Sequence, residues 1–246
     1  MNRPVIAPLQ HFYRTSSLAC PYVEGRMERK VITELEGPDG AQLYNALSRA
    51  GFRRSHHLAY RPACPGCSAC VPVRVDVARF ETSRSTRRLR QVNADLTVKT
   101  IGAVATIEHY RMFQRYQRAR HGDSDMAGMG FGDYRSMIED SPVDTVIVAL
   151  HDQAGQPAAA CLIDRLDDGL SAVYSFYEVG EPRRSLGTFM VLSLIDHARA
   201  LGLPYVYLGY WIAESRKMAY KTRFRPLEGL GAEGWQPLDP ASMGAA

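Results

Sequence analysis

No stretch of the chain comes near the roughly 20 consecutive apolar residues that a membrane-spanning helix needs. The longest candidate, residues 188–194, is short and runs on into Asp196 and His197. Residues 1–10 lack a basic segment followed by an apolar one. No secretory leader is therefore expected, and the cytoplasm is the default compartment. Cysteine is scarce as well. There are five, and an odd count in a cytoplasmic setting argues against a disulfide framework. Internal repeats and low-complexity segments are absent, which excludes solenoids and arrays. Charge of either sign is weak overall. The net +4 permits a polyanionic partner without demanding one. Its placement is uneven: Arg84, Arg87, Arg88 and Arg90 share one short segment, and acid gathers between Glu139 and Asp168. The plain reading of such a run is a solvated face.

What is present is material for a core. Hydrophobic residues make up 46% of 246, enough for one large domain or two small ones. Residues 1–100 read as a loop-rich, cysteine-bearing subdomain, and residues 101–246 as a regular α/β unit. In the first part, Asp39 to Gly51 has a helix pattern, with Asp39 as N-cap and Gly51 as stop. Residues 71–77 alternate valine with Pro72, Arg74 and Asp76, which is strand periodicity. In the second part, residues 106–121 form a helix with Ile107, Tyr110 and Phe113 inward. Its Arg111, Arg115 and Arg118 share one face. Strands follow at 144–150, 158–165 and 171–177, joined by short turns that imply an antiparallel meander. A helix capped by Ser185 carries Leu186, Met190, Leu194, Ile195 and Ala198 on one side, and Gly202 and Pro204 end it. Residues 205–210 form another strand. The strands flanking that helix are placed to pair in parallel through a right-handed crossover. The pattern is α+β.

Three segments carry candidate chemistry. The first is Cys64-Pro65-Gly66-Cys67-Ser68-Ala69-Cys70 with Cys20 upstream. Thiolates two residues apart in a tight turn can grip a metal, but one C-x2-C-x2-C run is not a clean pair of knuckles, and a reduced cluster fits equally. Cys161, in an apolar run, reads as a buried hydrophobe. The second segment runs from Ser175 to Gly187, where a strand end meets a helix start. A helix N-terminus favours anions, and Arg183 and Arg184 add charge there. Glu178 and Glu181 precede it as possible proton acceptors. An ordinary solvated loop is the alternative. The third runs from Gly209 to Pro226 and interleaves aromatics with Arg216, Lys217, Lys221, Arg223 and Arg225. Aromatic planes stack bases while cations hold phosphates. Lys217 and Lys221, four apart, would share a helical face. An exposed basic helix with core aromatics is the competing reading.

Together these segments resemble the arginyl-tRNA–protein transferase family, and most closely its bacterial aspartate/glutamate leucyltransferase branch. The matching residues are Cys20-Pro21-Tyr22 with Gly25-Arg26, Tyr60-Arg61-Pro62, and Ser185-Leu186-Gly187 after Tyr177-Glu178. Gly209-Tyr210-Trp211-Ile212, Lys217-Met218-x-Tyr220-Lys221 and Trp235-x-Pro237-Leu238 complete the set. The resemblance keeps its order over nearly the whole chain. It implies a second part with a GCN5-type acetyltransferase-like fold, in which aminoacyl-tRNA takes the place of acetyl-CoA, and an N-degron role that marks proteins for degradation. There is one departure. Eukaryotic members carry Cys-Gly-Tyr-Cys and a later adjacent cysteine pair. Here Val23 stands where the second cysteine would be, and the later pair is replaced by the spaced Cys64, Cys67 and Cys70. Their metal chemistry does not transfer.

The expected reaction is acyl transfer: leucine moves from leucyl-tRNA to the N-terminal Asp or Glu of an acceptor protein. The ester is already activated, so no cofactor is expected. The chain must supply positioning, a proton acceptor and oxyanion stabilisation. Glu178 is the expected base, and backbone N–H groups at Leu186 and Gly187 the expected donors. Lys217 and Lys221 would hold the acceptor stem. Tyr177, Tyr210, Trp211 and Tyr220 would shape the adenosine pocket, with Arg183, Arg184 and Ser185 at its phosphates. An acidic acceptor needs a cation, with Arg26, Arg61 and Arg74 as candidates. Alternatives are arginine as the transferred residue, a small-molecule N-acetyltransferase, and a non-catalytic RNA-binding protein.

Overall fold

The structure, a computed structural model, describes residues 10–122 and 124–239. Residues 1–9, on which most of the leader expectation falls, lie outside that range. The valine alternation sets the centre of the molecule. Strand β7 (Val71–Asp76) turns Val71, Val73 and Val75 into the largest core, joined by Val77 just beyond it. Each such burial contributes roughly 1.5–3 kcal/mol. β7 lies between β12 (Tyr205–Trp211) and β13 (Leu227–Gly231), antiparallel to both. Eight strands make this sheet, in the order β14 (Gly234–Pro237), β13, β7, β12, β11 (Gly169–Tyr177), β10 (Pro157–Arg165), β9 (Thr145–His151), β8 (Thr97–Gly102). β9 to β11 form the expected antiparallel meander, and β8 adds a fourth strand at its edge.

Helix α5 (Leu186–Ala200) crosses over from β11 to β12, which pair in parallel as the helix–strand order suggested. Its Leu186, Met190, Leu194, Ile195 and Ala198 are all buried in the same core as the valines. The shorter α2 (Arg84–Val92) lies beside α5 and is tied to it by the Arg90–Asp196 ion pair. The other face is covered by α3 (Ile107–Arg120) and α4 (Phe131–Glu139). Met112, Phe113, Tyr134 and Ile138 meet Ile147, Ala160, Leu162 and Phe176 there in a second core. A third core gathers Leu35, Tyr44, Leu47 and Ala59 against Leu166 and Tyr207. It joins α1 (Gly40–Arg49) and a four-stranded sheet to the large sheet. The small sheet runs β1 (Tyr13–Arg14), β4 (Lys30–Glu34), β6 (Leu58–Pro62), β5 (Arg53–Ser55). A two-stranded ribbon, β2 (Leu18–Ala19) with β3 (Met27–Glu28), lies between β1 and β4 in sequence.

The class is mixed α/β, as expected, but the first hundred residues do not form a layer of their own. β7 and β8 belong to the large sheet, because β7 buries both faces and needs partners on both edges. Two local expectations also change. Asp39 precedes α1 without a side-chain cap hydrogen bond, whereas Ser83 and Thr106 cap α2 and α3. Ile107 opens α3 on the solvent side at 49% exposure. No helix among the described residues is long and apolar enough to cross a membrane.

Candidate active site

The parallel pairing of β11 with β12 covers only Gly169–Ser171 against Tyr205–Tyr207. Beyond it the two strands part. The cause is local to β12: Gly209 adopts φ +77°, and its register against β7 shifts between Tyr207 and Gly209. A left-handed residue inside a strand is tolerated by glycine and bends the chain away from its neighbour. The gap so made opens beside the N-terminus of α5. A cavity of ≈ 490 Å³ lies there, lined by Tyr177, Glu178, Ser185, Leu186, Gly187, Thr188, Tyr220 and Arg223 among others.

The helix start is built with care for its backbone. Thr188 and Phe189 donate their N–H groups to the Ser185 carbonyl. Leu186 and Gly187, in the first turn where backbone N–H groups have no intrahelical acceptor, both line the cavity. Gly187 is needed for a steric reason: a Cβ there would stand 2.8 Å from Cε1 of Tyr177. Ser185 itself sits at φ +42°, and its side chain makes no cap bond, contrary to the sequence expectation. Its hydroxyl instead donates to the Pro182 carbonyl at 3.4 Å.

Glu178 follows the last residue of β11 and is half-buried, in ion-pair contact with Arg115 of α3. It lines both this cavity and a second, of ≈ 580 Å³, shared with Glu108, Arg111, Arg115, Asp152 and Arg184. Tyr177 packs edge-on against Tyr116, ring centroids 4.8 Å apart. Arg183 is exposed. Arg184 is not free for a phosphate: both Nη atoms donate to Asp95 at 2.8–2.9 Å, and Nε donates to Glu181.

The third segment is arranged otherwise than its spacing suggested. Residues 213–218 form turns and 219–223 a single 3-10 turn, so Lys217 and Lys221 share no helical face. Lys217 is exposed, while Lys221 is buried, its Nζ donating to the Tyr210 carbonyl at 2.5 Å. Burial, with Arg53 nearby, lowers the Lys221 ammonium to about 7. A lysine so placed cannot lie against a phosphate backbone. Trp211 is in the core at 4% exposure. The Tyr210 hydroxyl is already used, donating to the carbonyls of Gly51 and Tyr60. Tyr220 does line the cavity, and burial pushes its hydroxyl up to about 12.

Of the arginines expected to meet an acidic acceptor, Arg74 is committed elsewhere. Its guanidinium stacks 3.4 Å from the Tyr205 ring and 4.4 Å from the Trp235 ring and pairs with Glu228 at 2.8 Å. Both faces of β7 are covered, which the alternation alone could not reveal. Arg61 donates to the Ala50 carbonyl. Arg26 is exposed and hydrogen-bonds the Cys67 thiol, which helps a backbone bond from Ala69 hold that thiol below its ordinary value. The four cysteines of the first part are free and half-buried. Burial and the three neighbouring thiols raise Cys70 to about 11. Among the described residues, no group of three or more His, Cys, Asp or Glu side chains is placed to hold a metal ion. Cys161 is fully buried, as expected.

A further cation, which the sequence did not single out, lies near these residues. Arg53 reaches into the gap and donates to Ser171 Oγ at 3.0 Å and to the Ala172 carbonyl. Nothing in Phe52-Arg53-Arg54-Ser55 separates the two arginines except strand alternation, which sends them to opposite faces.

The family profile described as "Arginine-tRNA-protein transferase, N terminus" matches residues 18–88, and "Arginine-tRNA-protein transferase, C terminus" matches residues 108–231. The chain belongs to the arginine-tRNA-protein transferase family. Among curated transferases of this kind, an aspartate/glutamate leucyltransferase of Paramagnetospirillum magneticum is 58% identical over 229 residues, 93% of this chain and 94% of that protein. One of Granulibacter bethesdensis is 53% identical over 242 residues, 98% of this chain and 90% of that protein. Solved structures align weakly to this transferase-family chain. The structure of L-PGS from Bacillus licheniformis reaches a TM-score of 0.45 at 13% identity, over 58% of this chain and 47% of that one.

Proposed function

We propose that the protein is a cytoplasmic aminoacyl-tRNA–protein transferase that moves leucine from leucyl-tRNA to the N-terminal Asp or Glu of acceptor proteins. Such a modification would mark those proteins for degradation. The carrying observation is the parting of β11 from β12 beside the free N–H groups of α5, in a chain 58% identical to a relative named for this reaction. We read the layout of meander, crossover helix and split parallel pair as acetyltransferase-like, with residues 1–100 as the cysteine-bearing part.

In this reading the acceptor's neutral α-amine attacks the leucyl ester carbonyl on the terminal ribose. A C–N bond forms, the C–O bond to the ribose breaks, and the amine proton passes to a base while the ribose oxygen regains one. The N–H groups of Leu186 and Gly187 face the developing oxyanion. Glu178 is the proton acceptor, released from Arg115 when the tRNA phosphates compete for that guanidinium. Little base strength is needed, because the α-amine titrates near 7.7–8.0. Tyr177 and Tyr220 flank the terminal adenosine, and the exposed Lys217, Arg183 and Arg223 run along the phosphates.

The match to arginine-named profiles favours arginine as the second reading. The test is transfer of labelled leucine or arginine, each on its own tRNA, to a peptide beginning with Asp. Leucine incorporation well above arginine is expected. Arginine incorporation alone would give the second reading, and incorporation of neither would overturn both.

A further inference from the structure

Several arginines drawn into this molecule are matched by acids. Arg54 is 4% exposed and grips Asp164 with Nε and Nη2 at 2.9 and 2.7 Å. Arg74 has Glu228, Arg90 has Asp196 and Arg184 has Asp95. Lys221, buried, and Arg53, half-buried beside it, are not so matched. Among the described residues, the hydrogen bonds of Arg53 go to a hydroxyl and a carbonyl, and that of Lys221 to a carbonyl. Neither is in an ion pair, yet the two are close enough for the charge of Arg53 to act on Lys221.

The place is specific. Arg53 comes from β5, on the side of the third core. Lys221 comes from the turn after β12, whose neighbours Tyr220 and Phe224 pack on the α5 side. They approach the same gap, from its two sides. Gly209 leaves Arg53 its place: a Cβ there would stand 3.2 Å from Nε of Arg53, close enough to push the guanidinium aside by a few tenths of an ångström. The bulge, the left-handed glycine and two unmatched cations thus coincide where the parallel strands part. Tyr220, the residue before Lys221, walls the cavity at the start of α5.

Buried charge without a counter-charge is costly, and such a cost persists where a ligand relieves it. We propose that Arg53 and Lys221 together receive the side-chain carboxylate of the acceptor's first residue, and so set the choice of acidic over amide N-termini. The proposal rests on the transferase reading and moves acceptor choice away from Arg26, Arg61 and Arg74. The carboxylate enters past Tyr220 and places the neighbouring α-amine against the ester held at Leu186 and Gly187.

The test measures kcat/KM of the full chain for peptides that begin with Asp, Glu, Asn or Gln, using leucyl-tRNA. The variants are Arg53→Gln, Arg53→Lys and Lys221→Met. The wild type is expected to favour each acid over its amide by roughly tenfold to a hundredfold, the range of one charge-assisted pair. Arg53→Gln and Lys221→Met should bring that ratio to within about threefold of unity, mainly by loss of the acidic substrates, and Arg53→Lys should restore part of it. The ratio is taken within one preparation, so a reduced folded fraction cancels. If Lys221→Met fails to fold, Arg53→Gln decides alone. Discrimination kept in the variants overturns the proposal, as does an equal loss on all four peptides, which would place the pair in the chemistry or the packing. Transfer by the wild type to acids and amides alike also overturns it while leaving the transferase reading standing. No transfer to any peptide overturns that reading itself.

Discussion

At the scale of single residues, Lys221 has a consequence for stability that can be read with pH. Burial lowers its folded value to about 7 from 10.5. The unfolded chain therefore binds more protons than the folded one between those values, and stability rises with pH across that window. The slope from one group is at most about 1.4 kcal/mol per pH unit. In Lys221→Met that rise should vanish, and urea midpoints measured between pH 7 and pH 9 should become flat in this respect. A slope unchanged by the substitution would mean that Lys221 is solvated in the folded state. Gly187 gives a second prediction. In Gly187→Ala the new methyl meets the far edge of the Tyr177 ring, which is itself held by Tyr116. Thermal unfolding should shift by a few degrees or less, corresponding to about 1 kcal/mol. Transfer activity should fall by about tenfold or more, since the oxyanion donors move with the helix start.

At the scale of elements, what the sequence disclosed followed the strength of each pattern. α1, α3, α5, β7 and the strands from β9 to β12 have long apolar periodicity and stand within a few residues of their expected bounds. α2 was hidden, because four arginines in nine residues read as a charge run, and only Thr86 is buried. α4 and the two- to five-residue strands of the small sheet were too short to show a period. The strand-to-helix junction set Glu178, Leu186 and Gly187 close together in sequence, and they line one cavity. Lys221, Trp211 and Arg74 were misread because their exposure depends on layers contributed by distant sequence. The loop that leads into α5 illustrates this. Arg184 looked like a phosphate ligand but is a brace to Asp95 of the α2–β8 turn, where Asn93 also donates to the Arg184 carbonyl. Arg184→Ala should cost about 1 kcal/mol, as expected of a partly exposed pair. Its larger effect should be on KM for aminoacyl-tRNA, through a loosened helix start. Unchanged KM would show that the loop holds its shape without the brace.

At the scale of the whole molecule, the small sheet is fastened to the large one by Arg54. Its guanidinium crosses from β5 to Asp164 of β10, and Asp164 also accepts from the Thr145 hydroxyl of β9. Arg54→Met would strand a carboxylate at 0% exposure, with an expected cost of roughly 3–5 kcal/mol in chemical denaturation. Pairing it with Asp164→Leu should recover much of that loss, and a double variant as weak as the single one would refute the ion-pair account. Charge also acts at this scale. Lys217 and Arg223 are exposed, and Arg223 lines the cavity, so each alanine variant should reduce the log–log salt dependence of tRNA binding by roughly one at most. An unchanged slope in both would take the phosphate path away from this side.

The position of β7 bears on how the chain is made. It emerges early in synthesis, yet its two sheet neighbours, β12 and β13, lie some 130 to 150 residues further along. Until they leave the ribosome, a valine-rich strand has both edges unpaired, an invitation to mispairing with other nascent chains. Such distant pairing also makes for slow folding. Production of the first hundred residues alone should therefore give aggregate, and co-expression with the remainder should rescue soluble protein only if both pieces are present while β7 is still free.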